Sequence, residues 1–355
     1  MRRALAAAGC LLALAACGRE GGERASANGS GADSAATAAR KPAPSLLGGG
    51  PYVYVSNEAG NTVSVIDARA ESVVASIAPG RRPRGVRVSP DGSTLLVAVR
   101  GALRTEHSDR RRDGIALIDL TRRVVLRTLP AGPDPGAFDV STDGKTIYVA
   151  NGEAGTVTVV DVVSGKAVAT IPVAPQPAGI AISPGGDEVW VTNADAGVVT
   201  VIGADARRVL ATISVGRAPS AVAFTPDGAK AYVANAGSGT ISVLDVHRRR
   251  VVRTIALATS TDEPSALAAA PDGGRVYVTL ARAGAVAAID AAADSIVATL
   301  PVGKRAAGLA VTANGARLWV AVGALHEVTV VDAATFRPAR RIAVGSEPWG
   351  VTLSR

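Results

Sequence analysis

A repeat of about 42 residues runs through most of this chain and restricts the folds available to it. One large side chain marks each copy, at spacings of 42, 52, 42, 42, 45 and 42 residues. These side chains are Tyr54, Leu96, Tyr148, Trp190, Tyr232, Tyr277 and Trp319. A unit that recurs at a fixed period indicates one repeat architecture rather than two or three unrelated domains.

Each copy contains four short runs of alternating or β-branched apolar residues, which predict strands. The turns between the runs carry hairpin dipeptides, namely Asp91-Gly92, Asp143-Gly144, Asp227-Gly228, Asp272-Gly273 and Asn314-Gly315. No helical period occurs after residue 50. Four strands in about 42 residues, repeated seven times, predict an all-β, seven-bladed β-propeller with four antiparallel strands per blade.

The repeat resembles a known family. The run YVANGEAGTVTVVD, which begins at Tyr148, and the SPDG turn from Ser89 to Gly92 resemble YVTN-repeat β-propellers. This family is related to surface-layer proteins and to the propellers of cytochrome d1 and of some lactonases. The resemblance covers residues 52–355. It implies the fold and leaves the function open, because the repeated residues are structural.

The register of the repeat predicts how the ring closes. The innermost strand of a blade is the run before each SPDG-type turn. The repeats begin at Tyr52 with a second strand, and they end at Trp349–Leu353 with an innermost one. We therefore expect residues 51–355 to form one propeller, in which the C-terminal strand completes the first blade.

The recurring residues receive structural interpretations. We expect the large side chain of each copy to pack one blade against the next. An acid follows it in most copies and is expected to cap a turn through backbone N–H groups, at Asp67, Asp119, Asp161, Asp245, Asp290 and Asp332. The same turn-forming role is assigned to Asn57, Asn151, Asn193 and Asn235.

The N-terminus predicts export and a lipid anchor. Residues 1–16 combine two arginines with an apolar stretch, and Leu14-Ala15-Ala16-Cys17 resembles a bacterial lipobox. An ordinary secretory signal that contains a cysteine is the alternative. Residues 17–50 are predicted to be the lipidated cysteine and a disordered linker. Gly18 favours the outer membrane, so we expect a protein on its periplasmic side or on the cell surface.

Composition limits the chemistry of the mature chain. Loss of residues 1–16 removes Cys10 and lowers the formal net charge from +8 to +6, which alone indicates no particular partner. A single lipidated cysteine provides no free thiol for disulfides or metals. Basic hairpins recur, but aromatic residues make up only 3% of the chain, so nucleic-acid binding is not expected.

Function is expected where the copies differ. Two insertions, at residues 100–113 and 259–263, fall in loops that share one face of a propeller. The entries to the inner strands also vary on that face. The candidate ligand- or partner-binding residues there are Arg82, Arg84, Asp134, Glu263, Arg305, Glu347 and Trp349. Arg87 and Asp139, in adjacent blades, are expected to form an ion pair.

Recognisable catalytic chemistry is absent from the sequence. The three histidines, His107, His247 and His326, have no metal-ligand spacing, and no nucleophile or phosphate-loop motif occurs. We expect no catalytic residue, metal or cofactor. The favoured function is a monomeric, non-catalytic module that binds a periplasmic or surface protein or a small polar ligand. The alternative is a lactonase-like enzyme or an accessory subunit of a periplasmic redox system.

Overall fold

A computed structural model describes residues 51–101 and 113–354 of the chain. These residues form 28 strands in seven four-stranded antiparallel sheets, which confirms the seven-bladed propeller. The predicted signal peptide, Cys17, the linker and most of the first insertion, with His107, lie outside the described residues. Within the described part, no helix has the length and apolar character needed to cross a membrane.

The blades follow the chain in order, beginning with the three outer strands of blade 1. These strands are β1 (Tyr52–Asn57), β2 (Thr62–Asp67) and β3 (Ser72–Ile77). Blade 2 contains β4 (Val86–Val88), β5 (Thr94–Val99), β6 (Gly114–Asp119) and β7 (Val124–Pro130). Blade 3 contains β8 (Pro135–Val140), β9 (Thr146–Asn151), β10 (Thr156–Asp161) and β11 (Lys166–Pro172). Blade 4 contains β12 (Pro177–Ile182), β13 (Glu188–Asn193), β14 (Val198–Gly203) and β15 (Arg208–Ser214).

The remaining strands continue the same pattern. Blade 5 contains β16 (Pro219–Phe224), β17 (Lys230–Asn235), β18 (Thr240–Asp245) and β19 (Arg250–Ala256). Blade 6 contains β20 (Pro264–Ala269), β21 (Arg275–Leu280), β22 (Ala285–Asp290) and β23 (Ser295–Pro301). Blade 7 contains β24 (Ala306–Val311), β25 (Arg317–Val322), β26 (Glu327–Asp332) and β27 (Arg337–Ala343), and β28 (Pro348–Leu353) is the inner strand of blade 1.

The ring closes as the register predicts. Strand β28 pairs with β1 in antiparallel register, with Val351 opposite Val55 and Leu353 opposite Val53. Beyond the strand, the backbone N–H of Ser354 donates to the carbonyl of Tyr52 at 2.8 Å. The last strand therefore completes the first blade.

The core lies between blades. The described residues form seven apolar clusters, and each cluster combines side chains of two neighbouring blades. The seven large residues that mark the repeat are all buried within this core. Trp319, for example, packs in a cluster that joins blade 7 to blade 1. The predicted packing role is confirmed, and each blade depends on its neighbours to bury its apolar faces.

The repeated acids cap turns as predicted, whereas the repeated asparagines do not. Asp67 accepts from the backbone N–H groups of Arg69 and Ala70 at 2.8 and 2.9 Å. By contrast, the fully buried Asn57 donates through Nδ2 to hydroxyls across its hairpin, and Asn151 and Asn235 do the same. The turn-forming prediction for the asparagines is wrong, because their side chains point inward and join two strands.

The ring has a top face and a bottom face, which are distinguished by the turns that they carry. The top face carries the turns between second and third strands and the connections from each outer strand to the next inner strand. The bottom face carries the other turns. The seven inner strands surround a central channel. The second insertion and the described ends of the first, Gly101 and Asp113, lie on the top face.

Candidate functional site

The candidate site begins with seven equivalent backbone positions around the top of the channel. One residue in the segment that leads into each inner strand has a positive φ, between 45° and 60°. These residues are Arg82, Asp134, Gln176, Ala218, Glu263, Arg305 and Glu347. Left-handed conformation is costly for residues other than glycine, so the flanking strands must hold these positions in place. Five of the candidate binding residues share this geometry.

A buried carboxylate lies within ion-pair distance of three arginines between blades 1 and 2. Glu58, in the turn between β1 and β2, is only 8% exposed. Its Oε1 accepts from Arg82 Nη2 at 2.7 Å, and its Oε2 lies 3.0 Å from Arg84 Nε. Arg100 Nη1 lies 3.8 Å from Oε1. We call these four residues the Glu58 cluster.

Asp134 and Asp113 extend the Glu58 cluster towards blade 3. Arg100 pairs with Asp134 through Nη2. Asp113 accepts from the backbone N–H groups of Gly101 and Asp134, the latter at 3.2 Å. Burial, together with the charges of Arg84 and Arg82, lowers the pKa of Arg100 to about 10, although Glu58 and Asp113 oppose this shift. Positive charge is therefore crowded at this border.

Arg84 also reaches the channel mouth. Its guanidinium carbon lies 5.4 Å from the ring centroid of Trp349, which confirms that the first and last inner strands bring these side chains together. Such a contact between a cation and an aromatic face is attractive. The equivalent positions in the other blades are all small, at Gly136, Ala178, Ser220, Ser265 and Ala307. The mouth is thus open except along the wall formed by Arg84 and Trp349.

The other candidate residues form separate pairs. Arg305 donates to Glu347 at 2.8 Å, and this hydrogen bond lowers the pKa of Glu347 below its usual range. The backbone N–H of Glu347 also donates to Nδ1 of His326 at 3.0 Å. Glu263 instead pairs with Arg282 in blade 6. The structure therefore brings Arg82, Arg84, Asp134 and Trp349 to one border. Glu347 adjoins this border, because its carbonyl accepts from the backbone N–H of Glu58 at 2.9 Å, whereas Glu263 lies elsewhere on the ring.

Two site residues were missed in the sequence, although the repeat contained a signal for them. Glu58 and Arg100 follow the second strands of blades 1 and 2. The other five copies have Gly152, Ala194, Ala236, Ala281 and Gly323 at this position. Two charged residues among small ones, in adjacent copies, depart from the repeat. The sequence comparison covered the entries to the inner strands and did not include this position.

The bottom end of the channel carries the predicted ion pair. Arg87 Nε lies 3.4 Å from Asp139 Oδ1, and the other oxygen of Asp139 accepts from the backbone N–H of Ile182 at 3.0 Å. The pair joins blade 2 to blade 3, and Asp139 also contacts blade 4. Among residues 51–101 and 113–354, no three histidine, cysteine, aspartate or glutamate side chains are arranged to hold a metal ion.

Comparison with known proteins finds β-propellers. Residues 101–184 match the family described as YNCE-like β-propeller, and no curated protein matches the chain. Hydrazine synthase of Kuenenia stuttgartiensis aligns with a TM-score of 0.65 and 23% identity, over 76% of this chain and 88% of its own. A putative 6-phosphogluconolactonase of Bacteroides fragilis aligns with a TM-score of 0.73 and 18% identity, over 88% and 100%. Dihydro-heme d1 dehydrogenase NirN in complex with DHE gives 0.62 and 18%, over 85% and 74%.

These similarities confirm the resemblance drawn from the repeat. Both kinds of propeller that it implied, lactonase-like and related to cytochrome d1, are among the similar structures. At identities below 25% they establish a common fold, and a fold of this kind hosts many unrelated functions. The function therefore depends on the residues of the site.

Proposed function

We propose that this propeller is a non-catalytic binding module whose top face recognises a protein or a small polar ligand. One observation supports this proposal above all: the residues that depart most from the repeat coincide in space. Glu58, Arg84, Arg100 and Trp349 come from separate parts of the chain and meet at the border of blades 1 and 2. The repeated residues, by contrast, are used for packing and turns.

The position of this border supports recognition rather than structural support. Arg82 and Arg84 remain 28% and 29% exposed at their side chains while contacting a buried carboxylate. A partly exposed guanidinium held in one orientation loses little freedom when it binds a further group. The cluster also lies on the same face as residues 259–263, and it includes Arg100, the first residue of the other insertion.

In-cell cross-linking tests the binding function. A photoreactive amino acid placed at Ala178, a small residue on the channel mouth, is expected to capture a specific partner or a ligand analogue. The matched control places it at His247, on the bottom face. Specific capture from His247 but not from Ala178 would contradict the proposed face.

The enzyme alternative has its own test. The similar structures include proteins named as a synthase, a dehydrogenase and putative lactonases, so turnover must be measured directly. Purified protein is expected to hydrolyse no sugar lactone and to carry no stoichiometric metal. Lactone hydrolysis that disappears on Glu58→Gln would replace the binding function with an enzymatic one.

We further propose that the propeller is monomeric and attached to the outer membrane, on the periplasmic side or the cell surface, through lipidated Cys17. Residues 18–50 would act as a flexible tether with an r.m.s. span of roughly 30 Å. Two or more acyl chains give stable anchoring, whereas one gives marginal binding. Cys17→Ala is expected to move the protein from the membrane fraction to the soluble periplasmic fraction, and an unchanged membrane fraction would contradict the anchor.

A further inference from the structure

We propose that Arg84 binds a carboxylate group at the channel mouth, on a ligand whose apolar part packs against Trp349 and the small residues of the channel. This inference rests on the proposed binding function and names the chemical class of the ligand. It concerns one guanidinium among the three of the Glu58 cluster, because the three differ in what they already bind.

Arg84 is held in place from several directions. Its Nε lies 3.0 Å from Glu58 Oε2, but the N–H does not point at that oxygen, so the contact is an ion pair without a hydrogen bond. Its backbone N–H donates to the carbonyl of Ala98 at 3.0 Å, and its carbonyl accepts from Ser56 Oγ at 2.5 Å. The guanidinium carbon of Arg84 lies over the Trp349 ring, 5.4 Å from the ring centroid.

The outer edge of the same guanidinium is available. Neither Nη nitrogen of Arg84 makes a hydrogen bond to a residue that the structure describes. Two parallel N–H groups on a planar guanidinium match the two oxygens of a carboxylate. Arg82 and Arg100, by contrast, already pair with Glu58 and Asp134. The two Nη groups of this fixed side chain are therefore available to bind one carboxylate.

The charge of the cluster favours a monoanion over a dianion. Arg82, Arg84 and Arg100 face the carboxylates of Glu58 and Asp134, and Asp113 acts on Arg100 as well, so the three guanidinium groups and three carboxylates balance. A single carboxylate adds one negative charge to this balanced group. A phosphate dianion would add two charges and would require donors that Glu58 and Asp134 already occupy.

The channel beside Trp349 has aliphatic surface that a small apolar group can contact. Its volume is about 130 Å³, and its lining includes glycine, alanine and branched aliphatic residues, among them Gly179, Leu309 and Val351. Ser220 and Ser265 also line it, but their hydroxyls donate to carbonyls of the next blade at 2.9 and 3.0 Å. Arg87 lines it as well and pairs with Asp139, so the lining combines aliphatic surface with polar groups that already have partners.

Titration of the purified propeller with simple anions tests this inference. The probes are benzoate, butanoate and inorganic phosphate, together with a short neutral peptide that has either a free or an amidated C-terminus. Trp349 reports binding by fluorescence, since the other two tryptophans, Trp190 and Trp319, are fully buried. Benzoate or the free-acid peptide is expected to bind, and phosphate and the amidated peptide are expected to bind at least about tenfold more weakly.

Variants assign the binding to Arg84. Arg84→Gln is expected to weaken carboxylate binding about tenfold or more, and Arg84→Lys to restore it only in part, because lysine lacks the planar fork. Arg217→Gln, which changes an exposed arginine on the distant top-face entry to blade 5, is the matched control and is expected to have no effect. Thermal unfolding verifies that each variant is folded.

A second variant keeps the inference testable if Arg84→Gln fails to fold. Ala307→Asp places a negative charge at the mouth in the blade next to Trp349, at the position equivalent to Arg84 and Trp349. This variant is expected to weaken carboxylate binding more than Ala307→Asn does. Equal carboxylate binding by the wild type, Arg84→Gln and Ala307→Asp would overturn the inference, and so would a preference for phosphate. In-cell capture from Ala178 without carboxylate binding would overturn the ligand class while leaving the binding function intact.

Free small acids and peptide C-termini present the same carboxylate to Arg84. Binding of benzoate with no preference between the free and amidated peptides identifies the ligand as a small free acid. Preference for the free-acid peptide over benzoate identifies a protein C-terminus. Either result supports carboxylate recognition by Arg84.

Discussion

At the scale of residues, one carboxylate organises the candidate site. Glu58 is buried and faces three guanidinium groups, so its removal would leave positive charges close together with less compensation. Breaking a buried ion pair on one side costs more than the pair contributes, because the remaining charges stay desolvated. Glu58 thus couples the fold of the blade 1–2 border to the orientation of Arg84.

Glu58→Gln tests this coupling. We expect the free energy of unfolding to fall by about 2–3 kcal/mol, since the isosteric amide keeps the shape and loses the charge. Urea denaturation measures the change. Asp195→Asn removes an exposed carboxylate of blade 4 and is expected to change stability by less than about 0.5 kcal/mol. Equal changes in the free energy of unfolding from the two substitutions would contradict a structural role for the charge of Glu58.

The left-handed backbone of the channel mouth gives a second prediction at this scale. Ala218 has a φ of 47°, and Ala218→Gly removes a side-chain clash that costs about 1–2 kcal/mol. Glycine loses about 0.5–1 kcal/mol more in conformational entropy, so a net stabilisation of about 0.5–1 kcal/mol is expected. Ala178→Gly, inside strand β12, is expected to destabilise instead. Melting temperatures of the two variants should move in opposite directions.

At the scale of elements, acid-capped turns hold the hairpins of the bottom face. Asp91, Asp143 and Asp227 each accept from a nearby hydroxyl and from a backbone N–H in the turn that follows an inner strand. These hydrogen bonds, led by the hydroxyl donor, lower the pKa of each carboxyl below its ordinary value of 3.8. The charged form is therefore bound more tightly in the folded turn than in the unfolded chain.

This difference predicts acid sensitivity. Because the folded pKa lies below the unfolded one, the stabilisation is complete above about pH 4 and is lost as the pH falls through the folded value. The urea midpoint should hold from pH 7 to 5 and decrease below 4. Combined Asp91→Asn, Asp143→Asn and Asp227→Asn should flatten the decrease. Blade 7 already has Asn314 at this position, with the same hydroxyl contact at 2.8 Å, so the turns tolerate the change. An unchanged slope would contradict the role of these carboxylates.

Sequence patterns predicted these elements well where the cause is local. Strand alternation, the Asp-Gly turns and the capping acids depend on residues within a few positions, and all appear in the structure. The asparagines were misassigned because their partners are hydroxyls seven residues away, on the facing strand, as Asn151 and Thr158 show at 2.8 Å. A turn residue and a buried cross-strand donor look alike until the direction of the side chain is known.

At the scale of the whole molecule, the pairing of β28 with β1 holds the ring shut. Roughly four ladder hydrogen bonds contribute about 1 kcal/mol each, and burial of Val351 adds about 1.5–3 kcal/mol. Without β28, the inner edge of β1 and the apolar cluster shared with blade 7 would meet water. This contribution is comparable to the 5–15 kcal/mol that stabilises a typical domain.

Deletion of residues 346–355 is therefore expected to abolish cooperative unfolding. Calorimetry and near-UV circular dichroism measure the transition and the packing of the tryptophans. Deletion of residues 18–50 is the control and is expected to leave the transition unchanged. A cooperative melt of the 346–355 deletion at the wild-type temperature would contradict closure by β28.

The closure also explains why the site was only partly predictable. The register alone placed Arg82, Arg84 and Trp349 together, because it identifies the first and last inner strands as neighbours. It could not show that Glu58 turns towards these arginines from the adjacent blade, since that contact depends on side-chain direction across a border. Similarly, Glu263 looks equivalent to Glu347 in the repeat, yet the two pair with different arginines.

The adjoining ends of the ring give the molecule a direction. Tyr52 begins β1 at the bottom face, and Ser354 lies beside it, with a hydrogen bond of 2.7 Å from the Tyr52 N–H to the serine hydroxyl. The channel mouth, with Arg84 and Trp349, opens on the other face. A support, a label or a fused protein attached at either end of the propeller is therefore joined to the side that faces away from the mouth, so the protein can be immobilised there with its candidate site still open to ligands.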